Sequence, residues 1–95
     1  MRLQRHKFLM WLKAKQPEEI VGENRDCHTC PIAQFYYEAS RGCEIVIFAL
    51  GSGHFIDRGY STRPLPRWAE NFVIEVDGDE NRKITAARAL EALAA

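Results

Sequence analysis

A chain of 95 residues has room for one domain with one modest core, since a chain of this size buries roughly two-thirds of the surface its unfolded form exposes. Hydrophobic residues at 46% and charged residues at 27% match ordinary globular usage and exclude a disordered or coiled-coil chain. Zero formal net charge excludes a bulk electrostatic drive toward nucleic acid or acidic membrane and leaves only local patches.

The first segment carries Arg2, Arg5 and Lys7 and then the run Phe8-Leu9-Met10-Trp11-Leu12. Five apolar residues fall far short of the roughly 20 needed to cross a bilayer. With Lys13 and Lys15 following and no small-residue cleavage site, the run does not read as a secretory signal either. Three cysteines without an export signal point to free thiols in a reducing, cytoplasmic setting rather than a disulfide framework.

Residues Arg2 to Gln16 read as the first helix. At 100° per residue, Leu3, Phe8, Met10, Trp11, Leu12 and Ala14 form an apolar band, and Arg2, Arg5, His6 and Lys13 cluster opposite it around an anomalous Leu9. Lys7 and Lys15 fall inside the band, where their stems can lie on the core while the ammonium groups stay in water. Pro17-Glu18-Glu19 has the pattern of a helix start, with Gly22 as its stop. Pro31 opens the next helix with Cys30 as its N-cap. Ile32, Ala33, Phe35, Tyr36, Tyr37 and Ala39 share one face, and Gly42 ends it.

The run from Cys43 to Leu50 is β-branched and aromatic and apolar on both faces beyond Glu44, which predicts a central, covered strand. Gly51-Ser52-Gly53 breaks it, and His54 to Thr62 returns as a second strand with a kink at Gly59. Trp68, Ala69, Phe72, Val73 and Val76 predict a helix over 66–76, with a strand over 72–76 as the alternative because Asp77-Gly78 suits a hairpin turn. Thr85 caps a last helix whose core face is Ala86, Ala89, Leu90 and Leu93. The expected class is α+β, about four helices on a small antiparallel sheet with its hairpin near 43–62, in a single domain over 1–95.

Cys27-His28-Thr29-Cys30 is the chemically distinctive tetrapeptide. Two thiolates at this spacing can reach one zinc ion, but a closed site needs four ligands and no second pair exists. Cys43 and His54 cannot share a metal, because one strand would separate them by about 23 Å at roughly 3.3 Å per residue. Redox chemistry of the thioredoxin type needs a strand before the motif and the first cysteine at the helix start. Here the preceding segment reads as polar and Pro31 puts the second cysteine at the cap. The favoured reading has Cys30 capping a helix and no metal, with a zinc-stabilised module on Cys27 and Cys30 as the alternative.

Gly51-Ser52-Gly53-His54 follows a strand but lacks the lysine of a phosphate loop and the third glycine of a dinucleotide fingerprint. His54 and Asp57 make an acid–base pair on paper, yet no motif fixes a nucleophile beside them. The segment from 54 to 68 is more informative as a surface. Its three arginines, Arg58, Arg63 and Arg67, stand with Tyr60 and Trp68, and arginine, tyrosine and tryptophan dominate binding hot spots. The plainer reading of the same stretch is a polar loop whose Trp68 anchors the core.

No acidic residue precedes Glu18, so Met1 to Gln16 carries five Lys/Arg against none and offers a basic helix face to a phosphate backbone. With neither a catalytic nor a cofactor motif, the expected function is a small non-catalytic binding, adaptor or regulatory protein. Its partner is another protein or a second copy, and its surface is His54, Asp57, Arg58, Tyr60, Arg63 and Arg67. A nucleic-acid binder acting through the first helix is a further alternative, and no membrane partner is expected.

Overall fold

Among the described residues four helices are interspersed with strands, and every strand pairing is antiparallel. In the computed structural model, which describes residues 3–40, 42, 45–48, 54–57 and 61–95, the order begins α1 (Arg5–Lys13), β1 (Ile20–Glu23), α2 (Pro31–Ala39), β2 (Ile45–Phe48) and β3 (His54–Asp57). It continues with β4 (Ser61–Pro64), α3 (Arg67–Asp77), β5 (Lys83–Thr85) and α4 (Ala86–Ala94). The strands form two antiparallel sheets: β1 with β5, and a meander in the order β2-β3-β4. The class is α+β, as the sequence predicts, and the 43–62 hairpin is there with His54 opposite Phe48 and Asp57 opposite Ile45.

The core is built on Phe8, which is fully buried. Its ring lies 5.9 Å from Trp11, 5.4 Å from Phe35, 5.8 Å from Trp68 and 5.0 Å edge-on from Phe72. One side chain thus joins α1, α2 and α3 through offset and edge contacts that add to simple area burial. On α4, Ala86, Ala89, Ala92 and Leu93 are buried, and the small alanines let the helix lie close to its neighbours α1 and α3. Leu90 is half-buried against the same core.

Several helix signals hold. Cys30 is the N-cap of α2 with Pro31 inside the helix start, and Gly42 sits at φ +97° with its N–H donating to the Tyr37 carbonyl, 2.8 Å. That left-handed turn is open to glycine at no steric cost. The Thr85 hydroxyl accepts from the Arg88 N–H at 3.1 Å. α3 is a helix throughout, so the strand alternative over 72–76 is excluded, and Pro66 is its N-cap rather than its first residue.

Other expectations are corrected. Pro17-Glu18-Glu19 does not start a helix; it leads into β1, and its carbonyls cap a helix elsewhere. Glu19 O accepts from Ala86 N at 2.9 Å and Pro17 O from Ala87 N at 3.0 Å, so with Thr85 three of the orphan N–H groups at the start of α4 are satisfied. Gly22 is not a helix stop but a point of backbone contact. A Cβ there would lie 2.6 Å from Pro31 N and 2.7 Å from Thr29 O.

β2 is an edge strand, not a central one. Its outer side is met by the Cys27 carbonyl, which accepts from Ile47 N at 2.9 Å, and α2 packs on it. A helix cover produces the same apolar run as a central position would. The second strand expected over 54–62 is two strands, with Gly59 between them outside the described residues.

On α1 the buried arc runs through Trp11, Phe8, Leu12 and Leu9, and Lys15 just beyond the helix continues it, whereas Met10 is 52% exposed and the C-cap Ala14 is exposed. Leu9 is therefore part of the packing and Met10 is not. Two polar side chains fall within the angular range of this arc and find partners there. The Arg5 guanidinium donates to the Leu93 carbonyl at the end of α4, 3.0 Å, and Lys15 lies over Trp11.

Candidate functional site

The β1 strand organises the polar side of the molecule. At its end Asn24, fully buried, donates from Nδ2 to the carbonyls of Val76 (2.8 Å) and Asp79 (3.0 Å), closing the C-terminus of α3. Arg25 takes a positive φ of 56° and its N–H reaches the Asp77 carboxylate at 2.8 Å. Asp26 then accepts from the N–H groups of His28 (2.9 Å) and Thr29 (3.2 Å), folding the chain into a turn before α2. The His28 N–H is the main reason that the Asp26 carboxyl titrates below its usual range.

Within that turn the two cysteines have different surroundings. Cys30 is 2% exposed, and burial pushes its thiol up to about 12. Cys27 is half-buried. Among the described residues no group of three or more His, Cys, Asp or Glu converges as a metal site. A strand does precede the motif, contrary to the sequence reading, because β1 ends four residues before Cys27. The cap position nevertheless belongs to Cys30, whose thiol is the wrong one for thiolate chemistry at neutral pH.

A groove of about 310 Å³ opens where α1, β1 and α2 meet, at the lower end of the size range of small-ligand sites. Trp11 comes from α1 and Lys15 from the turn just after it, Val21 and Gly22 from β1, and Gln34 and Glu38 from α2. The close approach at Gly22 brings the start of α2 against β1 and so sets the distance between the groove walls. Lys15 holds its Nζ 4.7 Å from the Trp11 ring centroid, 3.5 Å from Glu38 Oε1 and 3.9 Å from Glu19 Oε2. That is the stem-on-core arrangement predicted for Lys15, with carboxylates added; Lys7 instead is exposed. The other groove charges are Glu23, paired with Arg82 at 2.8 Å, and Lys83, which is exposed and has no ion-pair partner among the described residues.

Of the residues expected to form a binding surface, Arg67 does not line this groove. His54, Asp57 and Arg63 have backbone positions on β3 and β4, Arg67 is exposed at the start of α3, and Arg58 and Tyr60 lie outside the described residues, as do Cys43 and Gly51-Ser52-Gly53. Register separates His54 from Asp57: three residues apart on one strand, they belong to opposite faces of the sheet. Arg63 lies opposite Phe55 and so falls on the Asp57 face. Trp68 is half-buried against Phe8, so it anchors the core. The basic face of α1 is partly spent, because Arg5 is tied to Leu93 while His6 and Lys13 remain exposed.

Sequence reading missed the groove. Trp11 and Lys15 are four apart in sequence, which was a usable signal, but Glu38 is brought to them only by the fold. Among the described residues no helix is long and apolar enough to cross a membrane. Compared with known proteins, the chain matches no family model, and no curated protein or solved structure is similar enough to serve as a relative.

Proposed function

We propose that the chain is a small non-catalytic binding protein that engages a protein partner through the β2–β4 meander and the start of α3. The observation that carries this reading is the way the meander is attached. β3 and β4 make their main contacts with each other and with β2 rather than with the helices. The outer edge of β4 has no strand partner among the described residues, and the chain runs from it through Leu65 to the exposed Arg67. An unpaired edge beside arginines is a surface that another chain can extend by strand addition or clamp through guanidinium contacts.

The test is a partner captured by the full chain from its own cells, identified, and then rebound as purified protein. Arg63→Ala with Arg67→Ala should weaken that binding at least about ten-fold, a typical hot-spot effect, with the melting temperature unchanged. Undiminished binding by the double variant would remove this surface from consideration.

A further inference from the structure

The groove between α1 and α2 already holds a ligand of a kind, supplied by the chain itself. The Lys15 ammonium sits over the face of Trp11 at 4.7 Å and between two carboxylates, Glu38 at 3.5 Å and Glu19 at 3.9 Å. An aromatic face flanked by acids is the arrangement by which proteins recognise alkylammonium groups. Both carboxylates are about half exposed, at 51% and 48%, and both ion pairs are long, so each contributes little to holding Lys15 in place. The Lys15 stem is a flexible four-carbon chain that can swing into water.

We propose that this groove is a binding site for an alkylammonium group, and that Lys15 occupies it as an internal stand-in which the ligand displaces. When Lys15 leaves, the groove keeps Trp11 with Glu19 and Glu38 against the lone Lys83, so its charge favours a cation and opposes an anion. Its volume of about 310 Å³ admits the alkyl stem beside the ammonium, and Ile20, 47% exposed at the groove, offers that stem an apolar contact. The ammonium belongs either to a lysine side chain of another protein or to a free polyamine. The proposal is independent of the meander surface: its failure leaves that reading untouched, and the reverse also holds.

Binding is measured on the full chain by following the Trp11 indole N–H resonance during titration with three probes at fixed ionic strength. The probes are an Nα-acetyl-lysine amide, its neutral norleucine counterpart, and spermidine. Lys15→Met, which keeps the stem and removes the charge, should bind an amine probe roughly ten-fold more tightly than the natural chain, because the internal competitor is gone. Adding Glu19→Gln and Glu38→Gln to Lys15→Met should return the affinity to the natural level or below. Both positions are exposed, so the fold tolerates them. Saturable binding of the lysine amide identifies a side-chain ligand, and binding of spermidine alone identifies a polyamine; either supports the proposal. It is overturned if no amine binds the Lys15→Met chain, if the norleucine probe binds as well as the lysine probe, or if removing the two carboxylates changes nothing.

Discussion

Two clusters each pair a cation with carboxylates, and their geometry separates a latch from an exchangeable contact. In one, Arg88 meets Asp79 through two parallel bonds of 2.8 Å, with the side chains 29% and 20% exposed, and Glu75 adds a third contact at 3.4 Å. In the other, Lys15 reaches Glu38 and Glu19 at 3.5 and 3.9 Å across partners half in water. The first joins the loop after α3 to α4 through a planar fork that fits a carboxylate in one way. The second uses a point charge on a flexible stem that many cations could imitate. Charge count alone would treat the two as equivalent, whereas distance and fit assign them different duties.

The severest way to break this comparison is to disturb the contact of β1 with the start of α2, which sets the groove walls around Lys15. Gly22→Ala places a methyl group 2.6–2.9 Å from backbone atoms of Thr29, Cys30 and Pro31, none of which can turn aside. Urea unfolding should show a loss of about 3 kcal/mol. A loss below about 1 kcal/mol would mean that β1 and α2 separate easily and that the groove around Lys15 has no fixed walls.

Arg88→Met tests the latch, with an expected cost of about 1.5 kcal/mol from the two charge-assisted bonds. It carries a pH signature as well. The hydrogen bond from Arg88 holds the Asp79 carboxyl below its ordinary range, so its stabilisation is fully present above the unfolded value of about 3.9 and is lost as pH falls below it. The Asp26 carboxyl is depressed too and loses its contribution in the same direction. The difference between the natural chain and Arg88→Met cancels the Asp26 contribution: the two stability curves should converge as pH falls below about 4.

Lys15→Ala is the smallest effect, less than about 1 kcal/mol, since only a ring contact and two long ion pairs are lost. Equal costs for Arg88→Met and Lys15→Ala would erase the distinction between latch and exchangeable contact.

Local chemistry was legible in the sequence, and long-range pairing was not. Thr85, Pro31 and Gly42 act within a turn of their own position, and the helices they bound appear where the residues predict them. β1 and β5 escaped because each is three or four residues long and their partners lie some sixty positions apart, as Glu23 and Lys83 show. The proline and acids before β1 imitate a helix start, while in the fold the same segment lends its carbonyls to α4. The face of α1 was misjudged at Met10 and Leu9 because hydropathy ignores what polar groups can do at a packed edge. Arg5 and Lys15 each find a partner beside the buried residues. Glu38 and Lys15 are twenty-three positions apart, and only the approach of α2 to α1 turns them into neighbours.

The aromatic cluster around Phe8 has an optical consequence. The chain has two tryptophans, and both lie against that one ring, Trp11 at 5.9 Å and Trp68 at 5.8 Å. Their emission therefore reports the junction of α1, α2 and α3 twice over and carries no direct signal from β2, β3 or β4. A melting curve followed at tryptophan wavelengths records the parting of those helices. Detachment of the meander beforehand would pass unseen, and a third tryptophan placed within β2–β4 would make it visible as a separate transition.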